Sequence, residues 1–343
     1  MTDKKILYIC GSRNQTTMLH QISRNLPGHQ HFFSAYYSEG IERFFAKFGV
    51  LDFTVLGGRF RLQTEEYLRD NGLKNDYEGR NNDYDLVVIC SDLIIPKNIR
   101  NRNIIMVQEG MTDPENIFFH MVKKFGIPRY FGGTAATGIS NAFRYFCVAS
   151  EGYRELFIRK GVKPEKIIVT GIPNFDNCSK FLENDFPHRN YLLACSSDSR
   201  ETHKYENRKE FILKAVKLAQ GRQIIFKLHP NEYIPRATRE IKKWAPGSLV
   251  FSEGNTNEMI ANCDILLTKY STVVYVGLAL GKEVYSDFDL EELKRLLPIQ
   301  NGDTSAARIA EICTFLLNEN SDNGKSKEEN TEMLIQNSSA KSA

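Results

Sequence analysis

The sequence lacks a strong excess of charge of one sign. Its 343 residues contain 45 Lys and Arg against 42 Asp and Glu, which leaves a formal net charge of +3. Proteins that follow a nucleic-acid backbone need clustered cations that neutralise several phosphates, so we expect no nucleic-acid partner. A local basic patch attracts an anionic membrane whatever the whole-chain charge is, so peripheral membrane association stays compatible with this composition.

Long apolar runs are absent near the N-terminus. The first apolar stretch, residues 6–10, is too short for the apolar region of a signal peptide or for a membrane span. The seven cysteines are scattered and form no C-x-x-C pair, which argues against a disulfide framework and a cysteine metal site. We expect a cytoplasmic protein without a bound metal, either free or peripheral to the inner face of the cell membrane.

The turn after that first stretch lacks the full G-x-G-x-x-G pattern of dinucleotide-binding proteins. It consists of Gly11, Ser12 and Arg13, with no glycine two positions after Gly11. We therefore expect no NAD and no other cofactor. Because ligands bind where parallel strands end, we assign these three residues to the acceptor side of a cleft.

Short apolar runs alternate with helical stretches along most of the chain. Hydrophobic residues make up 41% and charged residues 25%, as in globular proteins, and the length exceeds one comfortable core. Turn-forming residues between 173 and 189 predict a hinge. We expect an α/β fold of two Rossmann-like domains facing a central cleft: residues 1–180 on the acceptor side, residues 181–317 on the nucleotide-donor side, and residues 318–343 as a disordered tail.

Eleven apolar runs have the length and flanking turns of buried parallel strands. In the first half they are residues 6–10, 31–35, 86–90, 104–107, 143–148 and 167–170. In the second half they are residues 191–195, 223–227, 248–251, 265–267 and 283–285. Helical periodicity predicts helices at residues 15–24, 115–125, 151–160 and 273–280.

The run at residues 223–227 is followed by a histidine and a proline. Lys227 and His229 are two positions apart, so an extended chain places them on one face at the carboxyl end of the strand. Pro230 ends the strand. There His229 either donates to a phosphate or acts as an acid, or it is a structural histidine at a strand end.

A second polar turn follows the run at residues 265–267. Ser271 and Thr272 stand at the start of the next predicted helix, where free N–H groups and the helix dipole favour an anion such as a nucleotide phosphate. Simple capping of the helix is the alternative, since Ser and Thr are preferred there. Ser196 and Ser197 follow the first strand of the second half and are assigned to the same donor site.

In the first half, the run at residues 104–107 ends in an acid. Gln108, Glu109 and Gly110 follow it, and Gly110 allows close backbone approach. We expect Glu109 to face the cleft and to accept a proton from an acceptor hydroxyl, with Gln108 and Gly110 beside it. Asp113 is the better cap for the following helix, which leaves Glu109 free.

These motifs resemble bacterial glycosyltransferases of the glycosyltransferase-B fold that build capsule and surface polysaccharides, including sialyl- and Kdo-type transferases. The Gln108, Glu109, Gly110 turn is similar to their acidic motif, and His229 with Pro230 is similar to their HP motif. Ser271 and Thr272 match their paired hydroxyls. The resemblance implies that Glu109 is the catalytic base and that His229 and the hydroxyls hold the donor phosphate. Gln108 departs from the acidic first position of the motif.

A second resemblance covers more of the chain. Residues 167–173, 227–231 and 279–282 are similar to teichoic-acid glycerophosphotransferases and to non-hydrolysing UDP-N-acetylglucosamine 2-epimerases, which share the fold. The epimerases have a Ser-Gly-Gly turn where this chain has residues 270–273, Tyr-Ser-Thr-Val. That departure favours transfer over epimerisation.

Together these features predict a metal-independent glycosyltransferase. The expected donor is a CMP-, CDP- or UDP-linked sugar, bound by Lys227, His229, Ser271 and Thr272, and the expected acceptor is a glycan or lipid-linked glycan. The alternatives are a 2-epimerase that needs no acceptor and a non-catalytic subunit that binds a nucleotide sugar.

Overall fold

The computed structural model describes residues 3–49, 51, 54–201 and 205–319. The chain divides into two compact units. Unit 1 runs to Asp176 and resumes at Asn301, and unit 2 comprises Asn177–Gln300. The predicted boundary after residue 180 therefore differs from this division by four residues, and residues 301–317, which we assigned to the second domain, belong to unit 1.

Unit 1 is built on a six-stranded parallel sheet with the strand order β2-β1-β3-β4-β5-β6. The strands are β1 (Lys5–Cys10), β2 (Gln30–Ala35), β3 (Leu86–Ile89), β4 (Ile104–Val107), β5 (Tyr145–Val148) and β6 (Ile167–Val169). β3 to β6 are buried along their whole length, as expected of parallel strands covered on both faces by helices. The sequence of these strands is accordingly continuous in apolar residues.

Five helices of unit 1 precede the crossing into unit 2. They are α1 (Arg13–Arg24), α2 (Gly40–Lys47), α3 (Gly58–Asp70), α4 (Ile117–Phe125) and α5 (Glu151–Lys160). Short 3₁₀ segments lie at Tyr77–Gly79, Arg129–Ala136 and Pro164–Lys166. Side chains cap three of these helices: Ser12 caps α1, Asn116 caps α4 and Ser150 caps α5. We expected Asp113 to cap α4, and that expectation is wrong. Asp113 instead accepts a hydrogen bond from the Thr134 hydroxyl at 2.7 Å.

Unit 2 contains a five-stranded parallel sheet with the order β11-β10-β7-β8-β9. Its strands are β7 (Leu192–Cys195), β8 (Ile224–Lys227), β9 (Leu249–Phe251), β10 (Ile265–Leu267) and β11 (Glu283–Tyr285). Its helices are α6 (Arg208–Ala219), α7 (Ile234–Trp244), α8 (Thr256–Asn262), α9 (Val273–Ala279) and α10 (Leu290–Arg295), and a 3₁₀ segment spans Cys178–Leu182. The core between β7, β8, α6 and α7 is made of apolar side chains such as Phe211, Phe226 and Ile241.

The last described helix, α11 (Ser305–Glu319), packs against α1 and β3 of unit 1. Ile309, Cys313 and Leu316 are buried along one face of it. Its approach is fixed by Asp176, whose backbone carbonyl accepts from the Asn301 N–H at 2.8 Å and whose carboxylate accepts from the Ser305 N–H at 2.9 Å. This apolar face is the reason why residues 301–317 belong to unit 1. The helix also includes the first two residues of the predicted tail, and residues 320–343 of that tail lie outside the described residues.

The sequence-based strand predictions agree with the structure to within two residues at either end of every strand. All seven cysteines are buried and free. No helix among the described residues is long and apolar enough to cross a membrane.

Candidate functional site

In unit 1, β1 lies between β2 and β3. The chain moves outward from β1 to β2 on one side and then returns to build β3, β4, β5 and β6 on the other. The loops that follow β1 and β3 therefore diverge at the carboxyl edge of the sheet, which is the place where open α/β sheets bind ligands. The loops after β1 and β4 contain Gly11, Ser12 and the predicted acid Glu109.

The Glu109 carboxylate is held by two neutral donors from the start of α1. The Ser12 hydroxyl donates to Oε1 at 2.8 Å, and the Gln15 side-chain amide donates to Oε2 at 2.5 Å. A carboxylate has about four lone-pair positions, so each oxygen keeps one for a further donor. Glu109 is half-buried and forms no ion pair with any other residue that the structure describes.

The first turn of α1 positions both donors. The Ser12 side chain caps the helix by accepting from the Gln15 N–H at 3.2 Å, so one hydroxyl serves the helix and Glu109 at once. Gly11 is buried beneath the Gln15 amide: a Cβ at position 11 would lie 2.1 Å from Gln15 Oε1. Gly11 is thus required for the approach of Gln15 to Glu109. Arg13, the first residue of α1, is exposed.

Gln108 acts on the backbone. Its side chain is buried, donates to the Gly110 carbonyl at 2.7 Å and accepts from the Ala149 N–H at 2.9 Å. These contacts tie the loop after β4 to the loop after β5 and fix the backbone on both sides of Glu109. In this structure Gln108 and Gly110 therefore position Glu109. The Gln108 side chain is used by the protein itself, so it does not serve as a contact for an acceptor substrate.

Lys160 anchors the segment that follows Glu109. It is buried at the end of α5, and its ammonium donates to the Thr112 hydroxyl and to the Ala135 carbonyl, both at 3.2 Å. Burial lowers the pKa of Lys160 to about 8, although Glu115 and Asp113 oppose the shift. These two hydrogen bonds tie Thr112 and Ala135 to the end of α5 and offset part of the cost of burying the ammonium.

In unit 2, β7 lies between β10 and β8. The chain moves outward from β7 through β8 to β9 and then returns to β10 on the other side, so the loops after β7 and β10 diverge at the carboxyl edge of this sheet. Ser196 follows β7, His229 follows β8, and Ser271 and Thr272 follow β10. The structure therefore brings the predicted donor-site residues to one edge of one sheet.

His229 is half-buried, and its surroundings favour the neutral form of the imidazole ring. Its Nδ1 accepts from the Asn231 N–H at 3.2 Å, which places the proton of the neutral ring on Nε2. Burial lowers the pKa of His229 from its ordinary value, and Asp198, with Oδ2 at 3.6 Å from Nδ1, opposes the shift. We considered two roles for His229, a hydrogen-bond donor to phosphate and a general acid. A neutral ring that carries its proton on Nε2 favours the role of hydrogen-bond donor.

Lys227 differs from the expectation that it binds phosphate. Its ammonium is buried and donates to the Ser252 carbonyl at 3.0 Å and to the Leu228 carbonyl at 3.3 Å. β8 ends at Lys227, so the alternation of an extended strand does not extend to His229, and the two side chains have different partners. Lys227 links β8 to the end of β9.

Ser196 and Ser197 are also engaged by the protein. The buried Ser196 hydroxyl donates to the Glu232 carboxylate and accepts from the His229 N–H at 3.3 Å. The Ser197 carbonyl accepts from Arg208 at 3.1 Å. The Ser197 hydroxyl is hydrogen-bonded to that of Ser199 at 3.0 Å. Ser196 therefore holds the turn at His229, whereas Ser197 is tied to Ser199 and to the start of α6.

A buried charge network lies under this turn, and sequence reasoning missed it. The Arg208 guanidinium contacts Glu232 at 2.5 Å and Glu206 at 3.0 Å. Arg200 contacts Glu240 at 2.9 Å, and Lys269 lies 3.7 Å from Glu206. Burial raises the pKa of Glu232, while Arg208 and the Ser196 hydroxyl counter the shift. The network holds three cations against three carboxylates, so its formal charges cancel.

Ser271 and Thr272 precede α9 without capping it. Thr272 occupies the capping position, yet its side chain makes no capping hydrogen bond. Both residues are half-buried, and neither hydroxyl has a hydrogen-bond partner among the described residues. The capping alternative is therefore not what the structure contains, and both hydroxyls are free to meet a ligand.

No group of three or more His, Cys, Asp or Glu that could hold a metal ion occurs in the described part of the chain. Two cavities of about 320 and 540 Å³ lie in unit 1. Both are near α2, and neither is lined by Glu109.

No protein-family model matches the sequence, and no curated protein matches it. Solved structures do match the fold. A putative UDP-N-acetylglucosamine 2-epimerase from Listeria monocytogenes is 12% identical, with a TM-score of 0.56 over 95% of this chain and 99% of the other. The UDP-GlcNAc 2-epimerase from Neisseria meningitidis, bound to UDP-GlcNAc, is 13% identical, with a TM-score of 0.53 over 92% and 100%.

A wall teichoic acid polymerase with CDPG is 12% identical, with a TM-score of 0.51 over 93% of this chain and 90% of the other. At such identities the likeness shows the fold alone: the chain has the glycosyltransferase-B type of α/β fold, with one Rossmann-like sheet in each unit. Two of the enzyme groups that the sequence resembles are thus confirmed as structural neighbours.

Proposed function

We propose that the protein is a metal-independent glycosyltransferase that moves a sugar from a CMP-, CDP- or UDP-linked donor to a glycan or lipid-linked glycan in cell-surface polysaccharide synthesis. The observation that carries this proposal is the Glu109 carboxylate, held at a sheet's carboxyl edge by Ser12 and Gln15 with lone pairs to spare. An acid held in this way is suited to take a proton from a hydroxyl.

Unit 2 binds the nucleotide in this proposal. His229 offers Nε2–H, and Ser271 and Thr272 offer hydroxyls that no other described residue uses. Hydrogen bonds from these groups stabilise the negative charge that develops on the leaving phosphate. The structural neighbours with UDP-GlcNAc and with CDPG support a nucleotide-linked ligand for this fold.

The reaction is a direct displacement at the sugar carbon. The acceptor hydroxyl loses its proton to a Glu109 oxygen while its own oxygen bonds to that carbon, and the bond from the carbon to the donor phosphate breaks. The nucleotide leaves with both electrons of that bond. One displacement inverts the configuration at the carbon.

The test is product analysis with a panel of CMP-, CDP- and UDP-linked sugars, each with and without a panel of glycan and lipid-linked acceptors. The proposal predicts nucleotide release that depends on an acceptor, together with a product heavier by one sugar. Glycan products that form equally well with Glu109→Gln would contradict the assignment of the base.

The 2-epimerase is the second candidate, because epimerases are among the structural neighbours. The same assay separates the two: an epimerase changes the donor sugar without acceptor and releases no sugar to a glycan. Binding of a nucleotide sugar without any turnover across the panel would instead identify a non-catalytic subunit.

A further inference from the structure

Unit 1 displays an unusual set of exposed apolar side chains on two helices. On α2 and directly after it they are Ile41, Phe44, Phe45 and Phe48, and on α4 they are Ile117, Phe118, Met121 and Phe125. We call these eight residues the α2–α4 surface. Phe44, Phe48, Ile117 and Phe125 are each more than half exposed. By contrast, unit 2 exposes scattered residues such as Leu213 and Tyr205, and no phenylalanine among its described residues is exposed.

The α2 residues follow helical spacing. Positions 41, 44, 45 and 48 lie on one face of a helix, and this face is the exposed one. None of the α2 residues is buried, so the apolar stripe faces away from the sheet. A helix of a soluble protein normally turns this stripe toward the core, and here the stripe has no partner among the described residues.

The start of α2 lies close to the segment that follows α4. The 320 Å³ cavity is lined by Gly40 and Glu42 at the start of α2 and by Pro128 and Tyr130 just after α4. Burial raises the pKa of Tyr130, and Glu42, which accepts a hydrogen bond from the Tyr130 hydroxyl, raises it further. The N-terminal end of α2 and the segment after α4 therefore lie on the same side of unit 1, and both helices expose their apolar side chains there to solvent.

Basic side chains lie around these two helices, together with the acids Glu39 and Glu42 that line the 320 Å³ cavity. Lys47 ends α2, Lys123 and Lys124 are in the last turn of α4, and Lys97 and Arg100 line the 320 Å³ cavity. None of these five is in an ion pair with another residue that the structure describes. Apolar anchors rimmed by unpaired cations match a bilayer with anionic headgroups, since apolar burial and electrostatic attraction add.

We propose that the α2–α4 surface docks on an anionic lipid bilayer, with the aromatic side chains in the interface and the lysines among the headgroups. Charge complementarity favours this occupant over a second copy of the chain, which would bring the same cations face to face. The inference does not depend on the proposed activity, because the α2–α4 surface includes none of the residues assigned to the candidate site.

The experiment is flotation of the full chain with vesicles of phosphatidylcholine alone or with 30% phosphatidylglycerol. The proposal predicts binding to the anionic vesicles that is at least tenfold stronger than to neutral vesicles and that weakens with salt. Phe44→Ser with Phe48→Ser, and separately Lys123→Gln with Lys124→Gln, should each reduce binding several-fold. The matched control, Leu213→Ser with Val216→Ser in unit 2, should leave binding unchanged.

Circular dichroism and thermal unfolding establish that each variant is folded. The proposal is overturned if the native chain does not float with anionic vesicles, or if both unit 1 variants bind as well as the control. It is also overturned if the native chain is a dimer in the absence of lipid and the phenylalanine variant is a monomer by light scattering, because the surface is then a self-association interface.

Discussion

The carboxyl edges of the two sheets use charge in opposite ways. In unit 1, Glu109 accepts from the neutral donors Ser12 and Gln15 and has no cation beside it among the described residues. In unit 2, the buried carboxylates Glu206 and Glu232 are matched by cations such as Arg208. A carboxylate neutralised by a buried cation is structural, whereas one held by neutral donors keeps its charge and free lone pairs for a ligand.

The comparison assigns a different task to each edge. The formal charges of the buried network in unit 2 cancel one another. The candidate-site groups left there for a ligand are therefore neutral donors: His229, Ser271 and Thr272. The group left in unit 1 is an acceptor, Glu109. Proton acceptance and anion binding thus come from separate sheets, and each can be removed without the other.

The largest expected effect comes from Glu109→Gln. The amide keeps the shape but cannot take a proton, and its –NH₂ can no longer accept one of the two hydrogen bonds from Ser12 and Gln15, so turnover should fall by about 10² to 10⁴-fold. The measurement is kcat with the donor and acceptor identified by product analysis. Glu115→Gln, an exposed acid of the same unit, is the matched control and should retain full activity. A fall in kcat of less than threefold for Glu109→Gln would contradict the assignment of Glu109 as the catalytic base.

The next effect tests the network of unit 2. Arg208→Met removes the nearest cation from the buried Glu232 carboxylate and leaves only Arg200 at 3.9 Å, and removing one partner of a buried pair costs about 3–5 kcal/mol. Urea unfolding at pH 7 should show this loss in free energy of unfolding. Because burial raises the pKa of Glu232, the acid without Arg208 takes up a proton readily, and the deficit of the variant relative to the native chain should shrink towards pH 5.

Arg222→Met is the matched control for that measurement. Arg222 lies 3.3 Å from Asp264, and both side chains are substantially exposed, so the loss should be about 0–1 kcal/mol. Equal losses for the two variants would show that the network of unit 2 is no more structural than a surface ion pair.

A smaller effect is expected from Gly11→Ala. The added methyl displaces the Gln15 amide and removes one of two hydrogen bonds to Glu109, so kcat should fall by about tenfold. Gln15→Ala should give a similar fall, and the double variant should add little to either single change. Additive losses in this double-mutant cycle would mean that Gly11 acts on Glu109 by another route.

The smallest effect concerns the protonation of His229. Burial lowers its pKa, so nuclear magnetic resonance should find a titration midpoint below 6.5 and a neutral ring with its proton on Nε2. As the pH falls below 6.5 the unfolded chain binds this proton first, so His229 reduces stability only in that acidic range. A midpoint above 6.5, or a proton on Nδ1, would favour the acid role instead.

The sequence predicts the sheets well because short apolar runs bounded by turn residues permit little besides buried parallel strands. Helix α2 was missed although positions 41, 44, 45 and 48 have helical spacing, and the sequence does not show that this apolar face is exposed. The return of α11 to unit 1 is also not predictable: an apolar stripe such as Ile309, Cys313 and Leu316 fits the surface of either sheet.

Single side chains at the candidate site are predicted less well than the edges on which they lie. Glu109, His229, Ser271 and Thr272 lie at the carboxyl edges that the motifs indicate. Gln15 was missed, because its contact with Glu109 depends on the start of α1 reaching across the intervening strand β3. We assigned Lys227 to phosphate binding because side chains two positions apart share one face of a strand. The strand ends at Lys227, so this alternation does not extend to His229.

The most direct measurement is calorimetric titration of CMP, CDP and UDP into the native chain, Glu109→Gln and His229→Ala. The account predicts that one nucleotide binds the native chain and Glu109→Gln with equal affinity, and that His229→Ala weakens binding at least tenfold, as loss of a hydrogen bond to a charged group requires. Binding that is lost with Glu109→Gln and kept with His229→Ala would contradict the division of tasks between the two sheets.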